Sequence, residues 1–305
     1  MESTITQQEQ SQVAKRFDIH HQVTDTIIKQ LEAGTVPWFQ PWQGNNNHLL
    51  KLPENFTTGN KYRGINILLL WSSAINNDFE SSEWATFKQW QEKKEFIRKG
   101  EKGSMVVYYD TMEKEMDGEL KKIPFLKSSI VFNKCQLASY KPETSNEPFS
   151  GKPLFEAIDP VEDFVQNTGA IIEHKGSRAC YIPSLDKICM PEPEKFISTP
   201  NCTATEGYYS TLMHELTHWS GNPQRMNRKT GKKFGDNEYA FEELVAELGA
   251  AFLCAEFNLS TVEKGSPASY IDTWLKIFKD NKHFVIAAAS EASKAATYLQ
   301  ELQPC

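Results

Sequence analysis

Apolar residues recur with a helical period over residues 18–33, where Val23, Ile27, Ile28 and Leu31 share one face and Gly34 stands as a stop. The same period predicts helices around 65–74 and 84–94, the second because Trp84, Phe87, Trp90 and Gln91 follow it. The pattern then changes. Residues 105–110 and 129–132 are rich in β-formers and flank a charged, hairpin-like insert containing Asp117-Gly118. After a predicted helix at 160–168, the segments 170–174, 179–183 and 187–190 read as short antiparallel strands turning at Gly176 and Ser184. Helices are then expected over 206–220, 238–257, 268–279 and 282–300. Strands and helices that segregate rather than alternate define the α+β class, in two domains.

Composition agrees with a folded chain. Its 305 residues are 24% charged and 39% hydrophobic, enough for two domains and unlike collagen-like, coiled-coil or disordered sequences. The longest apolar runs, 65–71 and 284–289, fall short of the roughly 20 residues a membrane span requires, so no membrane association is expected. Residues 1–15 are polar, lack the pattern of a signal peptide and read as a frayed tail, which makes the cytoplasm the expected compartment. Six cysteines without a CxxC pair read as reduced thiols, Cys180 and Cys189 being the one local pair that a hairpin could join.

The Pro-, Ser- and Asn-rich stretch 139–153 reads as a linker and divides the chain into 1–145 and 146–305. The first part carries 18 Lys/Arg against 18 Asp/Glu, the second 15 against 22. All of the net charge of −7 therefore sits in the second part.

That part also contains His214-Glu215-Leu216-Thr217-His218, an H-E-x-x-H motif inside a helical window. Helical spacing puts both imidazoles on one face, one turn apart, where they can converge on a Zn²⁺ ion. Glu215 between them is then the candidate general base. A second predicted helix carries Glu243 and Glu247 on one face, beginning 25 residues after His218. This E-x-x-x-E arrangement resembles the gluzincin metallopeptidases, which implies Glu243 as third metal ligand and Glu247 as the acid that orients a ligand histidine. Many gluzincins have Asp where this chain has Glu247. The His₂Glu set favours zinc, with other divalent ions as alternatives. Tyr181, Tyr208, Tyr209 and Arg178 are available as oxyanion donors, and the stretch 180–191 is either an edge strand for an extended peptide or a structural hairpin.

In the first part, residues 58–66 interleave cations and an aromatic, and Lys88, Lys93, Lys94, Arg98, Lys99 and Lys102 cluster near Gly100 and Gly103. Cations that follow phosphates and aromatic faces that stack bases are what single-stranded nucleic acid requires. The tryptophans could equally form core.

The series VPWFQPW, TGNKYRGINILLLW, WATFKQW, IRKGEKGSMVVYY and VFNKCQL, with YYSTLMHELTHWSGNPQRMNR and EYAFEELVAELGAAFLCAE after it, resembles the ArdC-type antirestriction family across nearly the whole chain. The resemblance implies an N-terminal single-stranded-DNA-binding domain similar to that of TraC-type primases, followed by a zincin-like metallopeptidase domain. It further implies a protein of conjugative plasmids and other mobile elements that protects incoming DNA from host restriction. By the same carry-over, Lys61, Tyr62, Arg63, Asn66, Lys99 and Lys102 belong to the DNA surface. Two alternatives stay open: a zinc metallopeptidase that cleaves a host protein recognised by the N-terminal domain, and a conjugation accessory protein with a structural zinc.

Overall fold

The structure, a computed structural model, describes residues 18–38, 51–116, 119–142, 155–198, 202–229, 237–261 and 267–304. Helix α1 (Ile19–Glu32) starts at Asp18, whose carboxylate accepts from the His21 N–H at 3.2 Å, and buries Val23, Ile27 and Leu31 as its period predicts. Helix α2 (Ile65–Asn76) follows a two-residue strand β1 (Glu54–Asn55).

The next expected helix begins late. Trp84 lies in strand β2 (Glu83–Ala85), and only after Thr86 and Gln89 form a reciprocal capping box does helix α3 (Phe87–Glu92) begin. In the extended conformation the Trp84 ring packs with Leu70, Val106 and Val131, burial that outweighs its helical spacing. The charged insert is also different from expectation. Strands β3 (Ser104–Met116) and β4 (Glu119–Asn133) pair continuously from Ser104↔Val131 to Met116↔Glu119, so the insert extends the ladder. The Asp117-Gly118 turn lies outside the described residues. The sheet order is β1-β2-β4-β3. Its β3 edge is covered by Asn66 of α2, which exchanges two 2.7 Å hydrogen bonds with the backbone N–H and carbonyl of Val107.

In the second part, helix α4 (Asp159–Thr168) ends at Gly169 in the left-handed conformation, φ +72°. Strands β5 (Ile171–His174), β6 (Cys180–Ile182) and β7 (Lys187–Met190) then form a sheet in the order β5-β7-β6. The reading of three antiparallel strands is corrected here, because β5 pairs with β7 in parallel while only β6 and β7 form a hairpin. A sequence-adjacent β5–β6 pair would have been antiparallel; instead the chain passes over to the far side and β7 returns between them. Cys180 and Cys189 face each other in that hairpin, and none of the five described cysteines is in a disulfide. Four helices complete the fold: α5 (Ala204–Ser220), α6 (Asn237–Glu256), α7 (Pro267–Asp280) and α8 (Phe284–Glu301). No helix among the described residues is long and apolar enough to cross a membrane.

Residues on both sides of the 139–153 stretch share one hydrophobic cluster. Trp71 of α2 meets Phe252 of α6 with ring centroids 5.8 Å apart, and Trp38 meets Trp274 of α7 edge-on at 5.4 Å. Polar contacts flank this seam: Thr24 Oγ1 donates to the Lys282 carbonyl at 2.6 Å, and the Gly64 N–H to Ser293 Oγ at 2.7 Å. Each buried large side chain of the seam contributes about 1.5–3 kcal/mol, so the metal-motif helices and the N-terminal helices stabilise one another.

Candidate metal centre

Helix α5 is built to present its histidines. Thr203 caps it in a second capping box with Glu206, and Leu212, Met213, Leu216 and Trp219 are buried, which fixes the rotation that brings His214 and His218 to one face. Their Nε2 atoms stand 3.1 Å apart. From α6, Glu243 Oε2 lies 3.8 Å from His214 Nε2 and Glu243 Oε1 lies 3.6 Å from His218 Nε2. The three donors fall within 4.8 Å of one another. Two nitrogens bound at about 2.0–2.1 Å to a tetrahedral ion stand roughly 3.3 Å apart, so the donor set fits a divalent metal with no large rearrangement.

Close helix packing makes this convergence feasible. A Cβ on Gly249 of α6 would come within 2.6 Å of both Thr217 Oγ1 and Cγ2 of α5. Glycine thus allows the two helices to approach until Glu243 reaches the histidines.

A supporting group lies beside the expected one. Glu247 Oε1 is 3.6 Å from His214 Nδ1, beyond hydrogen-bond distance, whereas Glu242 Oε1 is 3.3 Å from His218 Nδ1. Glu242 is buried and gripped by Arg228, with Nε donating to Oε2 at 3.1 Å and Nη2 to Oε1 at 2.8 Å. Arg228 Nη1 also donates to Ser220 Oγ at 2.9 Å, and Gly221 leaves room for the guanidinium, since a Cβ there would lie 2.8 Å from Nη2. Glu242 accepting from Nδ1–H leaves His218 Nε2 with its lone pair toward Glu243 and His214. Sequence reasoning passed over Glu242 because the i, i+4 spacing drew it to Glu243 and Glu247. The available signal was an acid at the preceding position together with Arg228, ten residues after His218.

Electrostatics follow from these contacts. Burial works to raise the Glu242 pKa, but its hydrogen bonds to His218 and Arg228 and the Arg228 charge outweigh that and hold it below the usual carboxylate value. Burial alone would lower the His218 pKa. The Glu242 hydrogen bond and the charges of Glu243, Glu242 and Glu215 reverse it, leaving it raised. A metal must displace that proton, so affinity is expected to fall as pH drops through the raised His218 pKa and to level off above it. Metal titrations by calorimetry at several pH values, in buffers of different ionisation enthalpy, check this by the proton released on binding.

Glu215 Oε2 accepts the backbone N–H of Tyr181 at 2.7 Å, tying the motif glutamate to β6, an edge strand among the described residues. The three candidate tyrosine hydroxyls are engaged elsewhere. Tyr181 Oη donates to Asp186 at 2.8 Å, Tyr208 Oη is 2.9 Å from His174 Nε2, and Tyr209 Oη donates to Glu162 at 2.6 Å. Arg178 is exposed.

The six side chains assigned to DNA divide into two groups. Arg63, Lys99 and Lys102 are exposed on the N-terminal part. Lys61 is also exposed but forms an ion pair with Glu256 of α6, Tyr62 is half-buried against the Leu70–Trp84 cluster, and Asn66 is committed to Val107. Trp38, Trp71, Trp84 and Trp90 are all core, while Phe39 and Trp42 lie outside the described residues.

Comparison with known proteins bears on both parts. Residues 17–132 match the family model of the N-terminal domain of anti-restriction factor ArdC, and residues 159–291 match a zincin-like metallopeptidase family. The antirestriction ArdC protein of plasmid R388 is similar in its metal-free crystal structure, at 41% identity and a TM-score of 0.77 over 94% of this chain and 98% of that one. Its Mn(II)-bound structure gives 39% identity and a TM-score of 0.75 over the same shares. An uncharacterised protein, y4eC of Sinorhizobium fredii, is 33% identical over 94% of this chain and 92% of its own length. DNA primase TraC of Escherichia coli is 32% identical over 92% of this chain, which spans 20% of the primase.

Proposed function

Given that this chain belongs to the ArdC family of antirestriction proteins, we propose that it binds single-stranded DNA and shields DNA of a mobile element entering a cell from restriction. The observation that carries this is likeness to the R388 protein through both parts of the chain. The primase relatives, in which a similar segment accompanies a DNA-directed enzyme, support DNA as the partner. Residues 1–145 take the DNA, with Arg63, Lys99 and Lys102 as exposed cations for its phosphates. Restriction acts on DNA inside the cell, which makes the cytoplasm the place of action.

Residues 146–305 carry the metal centre. His214, His218 and Glu243 would hold a divalent ion, zinc by the chemistry of the set or manganese by likeness to the Mn(II)-bound relative. Such an ion supplies Lewis acidity and lowers the pKa of a coordinated water. Glu242 keeps the His218 proton on Nδ1, and Glu247 stands beside His214 as a further acid. Glu215 is fixed by the Tyr181 N–H through one oxygen, and its carboxylate is the group that would accept a proton. That tie to an edge strand, along which an extended peptide could pair, supports a second reading: a metallopeptidase acting on a host protein.

One experiment separates the two. Plasmid transfer into restricting and non-restricting hosts is compared for wild type, Glu215→Gln and a triple Arg63→Ala, Lys99→Ala, Lys102→Ala variant. The DNA-shielding reading expects the triple variant to lose protection and to reduce the log–log salt slope of oligonucleotide affinity by roughly 2, at about 0.7 per phosphate contact. It expects Glu215→Gln to retain both metal and protection. Loss of protection in Glu215→Gln with DNA binding intact would overturn it in favour of proteolysis.

A further inference from the structure

Phe87, the first residue of α3, is 58% exposed, and Ile130 of β4 is 50% exposed. Phe132, on the same face two residues along, meets the Phe87 ring edge-on with centroids 6.5 Å apart. Gly103, just before β3, completes the patch. A Cβ there would fall 2.2 Å from Ile130 Cγ2 and 3.0 Å from Phe132 Cζ, so glycine lets both side chains lie flat over the backbone. The platform is rigidly mounted: the Thr86–Gln89 capping box fixes the start of α3, and Trp90 Nε1 donates to the Phe132 carbonyl at 3.0 Å.

Charge selects the occupant. Residues 84–103 and 127–134 carry eight Lys/Arg against three Asp/Glu, in a chain whose net charge is −7. Arg98 pairs with Glu101 and Lys134 with Glu83, just outside this stretch, which leaves six cations against two acids. A second copy of the chain presenting this cationic surface would be repelled, whereas a phosphate backbone is attracted. Duplex bases are stacked internally, so apolar rings in the open serve unpaired ones. We infer that Phe87, Phe132 and Ile130 form a base-stacking platform for single-stranded DNA, with Lys88, Lys99 and Lys102 on the phosphate side. The inference rests on the DNA-binding reading above and adds the residues that contact the bases.

The test is fluorescence anisotropy of the full-length protein with a labelled oligothymidylate across a salt series. Phe87→Ala is expected to weaken binding about tenfold with an unchanged salt slope, because a ring is lost and no phosphate contact. Phe87→Tyr should bind as wild type, and Phe87→Leu, which keeps apolar area without a ring, should resemble Phe87→Ala. Wild-type affinity in both Phe87→Ala and Phe87→Leu would overturn the platform while leaving DNA binding in place; no binding by wild type at low salt would overturn the DNA reading itself. Photo-cross-linking of wild type to an oligonucleotide containing 5-iododeoxyuridine is independent of any variant's folding. Adducts within 84–103 or 127–134 are expected, and adducts confined to other segments would refute the platform.

Discussion

Replacing Arg228 with methionine is expected to destabilise the protein by about 3–5 kcal/mol and to lower its melting temperature by on the order of 10 °C. Arg228 and Glu242 are 9% and 4% exposed, so neither charge can fall back on water. Removing the guanidinium strands the Glu242 carboxylate with a single partner, His218, and takes one donor each from Ser220 Oγ and the Thr217 carbonyl, which stay bonded to each other at 2.6 Å. The loss of the charge and hydrogen bonds that hold the Glu242 pKa down pushes it up, toward a protonated acid at neutral pH. A second substitution, Glu242→Met on the Arg228→Met background, removes the stranded charge and should recover most of the stability. It should not recover metal affinity, because the His218 Nδ1–H then lacks its acceptor, a defect of about 10–100-fold. Urea unfolding without metal and metal titration of the folded variants measure the two effects separately. Equal recovery of both in the double variant would show that Glu242 acts through stability alone.

The helices were legible because their period is a property of the sequence: α1 and α5 lie within a residue or two of where their apolar spacing puts them, and H-E-x-x-H needs only one helical turn to bring its imidazoles together. The α+β class followed from the grouping of these elements, and the family from motifs spread through both parts. What sequence could not supply was partnership. Trp84 has helical spacing but takes a strand because Leu70 of α2 and Val106 and Val131 of the sheet bury its ring there. The strand β5 chose β7, not its neighbour β6, and nothing in four residues encodes that choice. Glu242 was hidden for a similar reason. Its meaning depends on Arg228, brought back by the turn after α5, and on a helix crossing that no spacing rule predicts. The linker-like stretch marks a boundary between family matches, yet Trp71 and Phe252 join the two sides in one core.

That helix crossing yields the second large effect. Gly249→Val is expected to cost about 3 kcal/mol, the upper part of the range for overpacked cores, and to impair metal binding as well. The first added atom already lies 2.6 Å from Thr217 Oγ1 and Cγ2, and Thr217 is wholly buried, held by its hydrogen bond to the Met213 carbonyl at 2.8 Å. Relief therefore comes from separating α5 and α6, which draws Glu243 away from His214 and His218. Gly249→Ala presents two opposed effects: alanine gains about 1 kcal/mol of helix propensity, against about 1–3 kcal/mol for the steric overlap. Overlap should win in the single variant. Combining Gly249→Ala with Thr217→Ala removes the atoms in conflict and leaves the propensity gain, so the two changes should be strongly non-additive, with the pair more stable than Gly249→Ala alone. Metal affinity should return with it, because the helices can again approach. Chemical unfolding and metal titration of all four proteins in this cycle provide the check; additive energies would mean that the contact at Gly249 does not set the distance between the helices.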